Sequence, residues 1–67
     1  MNMNELLKVA MELSGKINEL EDKLVELIEA GKDDTIEYSN LFLEQNAYYN
    51  LRAGINSAIE NLKKIIK

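Results

Sequence analysis

From Met3 onward, Met3, Leu6, Ala10, Leu13, Ile17, Leu20, Leu24 and Leu27 follow one another in alternating steps of three and four. A 3.5-residue period places all eight on one stripe of an α-helix, with leucine at every second core position. Leu7 and Ile28 widen the stripe at its ends, and Ser14 and Glu21 keep it narrow between them. The outer surface carries Glu12 with Lys16 and Glu19 with Lys23, both four apart in the favourable orientation. Asn2 or Asn4 can cap the start, and Gly31 follows the last periodic residue, where a left-handed residue usually ends a helix. The first helix is expected over about 4–30.

A turn over 31–34 follows. Asp34 and Glu37, three apart, read as a capping box for a second helix over about 35–66, and Lys63, Lys64 and Lys67 suit its C-terminal end. Leu41, Tyr48, Ile55 and Leu62 recur every seven residues. Leu51, Ala58 and Ile65 read as the partner row, and Ile59 and Ile66 widen the face. Between Tyr38 and Ile59 only Glu44 and Arg52 are charged, so the middle of this helix is expected to be covered on more than one side.

Sixty-seven residues form one domain, 1–67, and a chain of that size buries only about 60% of its unfolded surface. It has no Cys for a disulfide, and without Cys or His a zinc or haem site has no good ligands. Leu7, Val9, Phe42, Leu43, Tyr49 and Ile66 are left over after one stripe of each helix faces the other. The expectation is therefore an all-α antiparallel helical hairpin that assembles into a helical-bundle homo-oligomer. A bend of the second helix near Asn46 is expected as a variant, and a monomeric three-helix bundle, broken there, is the competing arrangement.

Twelve acidic against eight basic residues give a net charge of −4, which disfavours DNA or RNA polymers and anionic membranes as partners. No apolar run approaches the roughly 20 residues of a membrane span, and the start "MNMNELLK" lacks the basic flank and apolar core of a signal peptide. A cytoplasmic protein without cofactors is expected. The commonest general base and the best nucleophile are both missing, and Ser14, Ser39 and Ser57 have no base beside them, so no catalytic residue is assigned. Glu19, Asp22 and Glu26 align along one side of the first helix and read as a solvated face, not as a metal site.

The candidate site lies in "YYNLRAG", residues 48–54, which holds the only arginine of the chain. On a helix Tyr48, Arg52 and Asn56 are successive fours, and Tyr49 stands three before Arg52. A guanidinium grips phosphate or carboxylate at two points and stacks on aromatic rings, while tyrosines can stack on a base. Ala53 and Gly54 leave room for a ligand or a second backbone. Two readings follow. In one, Tyr48, Tyr49, Arg52 and Asn56 bind a nucleotide at a subunit interface. In the other, Arg52 reaches Glu44 or Glu60 of a neighbouring chain, the tyrosines pack in the core, and Gly54 marks a close helix crossing.

Residues 44–66, "EQNAYYNLRAGINSAIENLKKII", resemble the C-terminal helix of the phage anti-CBASS sponge proteins. The likeness rests on Glu44 and Gln45, Arg52, the pairs Ile55–Asn56 and Ala58–Ile59, and then Leu62, Lys64 and Ile66. It covers about a third of the chain, preceded by an acidic helix of similar length. The resemblance implies a small non-enzymatic protein of the host cytoplasm that oligomerises and sequesters cyclic oligonucleotide signals. An adaptor or inhibitor docking a helix face on a larger host or phage protein is the alternative function.

Overall fold

The computed structural model describes residues 2–65 and contains two helices, α1 (Met3–Glu29) and α2 (Ile36–Ile65), packed as an antiparallel hairpin. Its extents are 51 × 15 × 14 Å, the length of one helix and the width of two. The expected placements of Ile66 and Lys67 lie outside the described residues.

Each helix ends for a local reason. At the start of α1 the Asn2 side-chain oxygen accepts from the Glu5 amide at 2.9 Å, and its Nδ2 donates to Glu5 Oε1 at the same distance. At the far end Gly31 stands at φ +72, the Lys32 amide donates to the Leu27 carbonyl (2.8 Å), and the Gly31 amide donates to that of Ile28 (3.0 Å). That pair of bonds satisfies two of the carbonyls a helix end leaves open, and the left-handed backbone is what glycine supplies without strain. The cap of α2 is Thr35, not Asp34. Thr35 Oγ1 accepts from the Tyr38 amide (3.2 Å) and donates to the Lys32 carbonyl (2.8 Å). The Schellman turn sets where the chain re-enters a helix, and that puts the threonine hydroxyl, one residue later than expected, at the first free amides.

α2 runs through Asn46 and Gly54 without interruption, which removes the three-helix arrangement. A Cβ built on Gly54 meets nothing within 4 Å, so this glycine marks no close crossing inside the hairpin.

Leu6, Ile17, Leu20 and Leu24 of α1 and Ile59 of α2 form the buried apolar core, with Leu13, Leu27, Leu41, Tyr48, Ile55 and Leu62 half-buried around them. The stripe of α1 and the row Leu41–Tyr48–Ile55–Leu62 face inward as their spacing requires. The partner row on α2 does so only at Ala58, which is half-buried. Leu51 and Ile65 are 58% and 78% exposed, and their place at the seam is taken by Tyr38, Gln45, Arg52 and Ile59, again seven apart. Polarity on α1 explains the exchange. Ser14 and Glu21 are seven apart beside its stripe, and in an antiparallel register they meet Arg52 and Gln45, which are also seven apart. Paired polar groups at the seam cost less than the same groups left facing apolar side chains.

The expected i,i+4 ion pairs also rearrange. Lys16 meets Glu19 (3.7 Å) instead of Glu12, and Lys63 meets Glu60 (3.5 Å). All four groups are well exposed, so these pairs contribute little to stability.

Candidate functional site

The site grows from the two polar layers of the seam. In the first, Gln45, only 4% exposed, donates from Nε2 to Glu21 Oε2 (2.7 Å) and to the Ile17 carbonyl (3.3 Å). Bonding to a carboxylate shortens and strengthens such a contact, and it pins one helix against the other at a fixed register. In the second layer, two turns along, Arg52 Nη1 donates to Ser14 Oγ (3.3 Å). The Tyr49 ring lies beneath this guanidinium, with Cζ 5.1 Å from the ring centroid, a cation–π arrangement.

Arg52 is half-buried, and no carboxylate lies within 4.0 Å of it among the described residues. A guanidinium carries five N–H donors, and one meets a protein acceptor here. No buried side-chain nitrogen or oxygen is left without a partner among the described residues, so the other donors face solvent. They open on a groove of about 540 Å³ along one side of the hairpin, lined by Leu7, Met11 and Asn18 of α1 and by Arg52, Asn56 and Ile59 of α2.

Of the four residues singled out by spacing, Arg52 and Asn56 share this groove, and Tyr49 joins them through its stack on Arg52. Tyr48 is separated from them. It belongs to the core row and lines a different groove with Val9, Leu13 and Lys16. Adjacent residues of a helix point about 100° apart, so two neighbouring tyrosines cannot both flank one arginine once a seam runs between them. Ser14 and Gln45 are the members that spacing alone passed over. The matched separations, Ser14 to Glu21 and Gln45 to Arg52, were the available signal.

Chemically the arrangement offers a fixed cation on an aromatic face, an amide beside it, and apolar walls at Leu7 and Met11. No group of three His, Cys, Asp or Glu side chains among the described residues could hold a metal ion. No helix in the described residues is long and apolar enough to cross a membrane. Comparison with protein-family models, curated proteins and solved structures finds no match to this chain.

Proposed function

We propose that the protein is a non-enzymatic, homo-oligomeric helical binding protein that captures a cyclic nucleotide signal in the Arg52 groove. One observation carries this reading: a half-buried guanidinium with no carboxylate partner among the described residues, backed by a tyrosine ring and open to a groove of ligand size. Arg52 grips a phosphate at two points, Tyr49 and the apolar groove wall support a base, and Asn56 supplies a hydrogen bond. The resemblance of residues 44–66 to phage sponge proteins supports the same ligand class and a place in the host cytoplasm. Tyr48 is assigned no ligand contact.

Native mass spectrometry of the protein with a panel of cyclic di- and trinucleotides tests the reading. Ligand masses in fixed ratio to subunits are expected. Arg52→Lys is expected to weaken binding by about ten-fold or more, because a forked contact becomes a point contact. Tyr49→Ala is expected to weaken binding and Tyr48→Phe to leave it unchanged. An affinity indifferent to Arg52→Lys removes Arg52 from the site.

A second reading is favoured by the large apolar side chains exposed away from the groove, chiefly Ile36 (79%), Leu43 (64%) and Leu51 (58%). An adaptor docking this surface on a larger protein binds no nucleotide, and Leu43→Glu abolishes capture of its partner without melting the hairpin.

A further inference from the structure

Flanking the core stripe of α1 is a second stripe with the same alternating step: Leu7, Met11, Ser14, Asn18, Glu21, Val25 and Ile28. Leu7, Val25 and Ile28 are 40–50% exposed and Met11 is 75% exposed. On α2 the flank on the same side carries Phe42, Asn46, Tyr49, Ala53 and Asn56. Leu7 and Met11 line one groove with Arg52 and Asn56, which places the two flanks side by side on one face of the hairpin.

Charge sets this face apart. Nine of the ten charged residues of α1 lie elsewhere on the helix, and the tenth, Glu21, is held by Gln45. The α2 flank carries no charge from Phe42 to Asn56, its series ends on Glu60 and Lys63, which pair with each other (3.5 Å), and the seam contributes only Arg52. In an acidic protein rich in charge, a face this bare is built to be covered. It offers no basic patch for an anionic lipid surface and no run of one sign for a strongly charged partner.

Its size leaves room for a second copy of the chain. In projection the hairpin is 51 Å long and 15 Å wide, about 770 Å², which leaves room for the roughly 800 Å² of accessible surface per partner of a standard interface. The accessible surface of the hairpin is 5023 Å², against about 4,300 Å² expected for a folded monomer of its mass. With five buried apolar side chains among the described residues, the hairpin has too small a core to stand alone. Its cover must therefore be present whenever the chain is folded; another copy is present wherever the chain is made, and a face so poor in charge meets itself without like-charge repulsion.

We infer that the charge-poor face bearing Leu7, Met11, Val25, Ile28, Phe42 and Tyr49 packs against the same face of a second copy, closing the Arg52 groove between two subunits. The inference rests on the homo-oligomeric reading above and deepens it. The open groove becomes an enclosed site to which both copies contribute, and dewetting strengthens every polar contact that Arg52 makes inside it.

Sedimentation equilibrium across micromolar concentrations tests it, with circular dichroism on the same samples. Wild type is expected to self-associate. Met11→Glu and Phe42→Glu are expected to weaken association by at least about ten-fold, while Leu51→Glu, on the other flank of α2, leaves it unchanged. Loss of helicity together with association in the first two variants also supports the inference, since covering and folding are coupled. Asn18→Leu removes a polar residue from the centre of the face and is expected to tighten association by about ten-fold at the wild-type stoichiometry and helicity, which separates it from the open-ended aggregation of a misfolded chain. A self-associating wild type that Leu51→Glu disrupts and the flank variants do not overturns the choice of face and leaves the homo-oligomer standing. An association unchanged or weakened by Asn18→Leu overturns the choice of face as well. A folded, monomeric wild type overturns both.

Discussion

Gln45 and Arg52 occupy seam positions that a hairpin of this size would ordinarily give to leucine. Each is tolerated because α1 presents a matching group at the same level, the Glu21 carboxylate for one and the Ser14 hydroxyl for the other. The two layers differ in what they leave over. Gln45 is enclosed and its amide donors are used, so its role is to hold register. Arg52 is half-exposed with donors to spare, so its role extends to whatever enters the groove. Replacing Gln45 separates these contributions. Gln45→Leu is expected to change unfolding free energy by less than about 1 kcal/mol, since exposed Glu21 regains water and the space stays filled. Gln45→Ala is expected to cost about 2 kcal/mol, because a cavity is added to the lost bonds. Urea denaturation of both variants measures the difference, and equal costs would mean that the amide itself is needed.

At the scale of the elements, local chemistry decides the ends and tertiary chemistry decides the faces. Asn2 and Gly31 act where their residue types lead one to expect, because a cap and a left-handed residue answer to the few amides and carbonyls around them. The start of α2 illustrates the limit. Asp34 and Thr35 are both good capping residues, and only the path of the chain out of the Gly31 turn determines which one meets the Tyr38 amide. Thr35→Ala is therefore expected to cost about 1 kcal/mol, and Asp34→Ala no more than about 0.3 kcal/mol, in thermal or urea unfolding. The reverse ranking would return the cap to Asp34.

For the whole molecule, shape and stability are linked. A hairpin 51 Å long and two helices thick has no interior beyond its single seam, and it leaves Met11, Leu43 and Ile36 mostly in solvent. If association covers one broad face, folding and assembly share one free energy, and the melting temperature depends on protein concentration. Raising the concentration a hundred-fold is expected to raise the midpoint by several degrees, in contrast to an isolated hairpin, whose midpoint is independent of concentration. Scanning calorimetry at two concentrations reads this directly.

By itself the sequence determined that there are two helices, where the chain turns between them, and which stripe of α1 faces inward. Alternating threes and fours of leucine and isoleucine admit one helical face, and Gly31 admits one kind of stop. The second seam row was beyond its reach, since Gln45 and Arg52 look like surface residues beside Leu51 and Ile65. Their burial depends on groups more than twenty positions away in the chain, Glu21 and Ser14, and periodicity within one helix carries no information about a partner's polarity. The candidate site divides in the same way. Arg52, Tyr49 and Asn56 were legible as a cluster because a helix brings them together by its own geometry. Only the tertiary structure could move Tyr48 out of that cluster, because the seam between the helices, and not the spacing along one of them, decides which side of an arginine faces the groove.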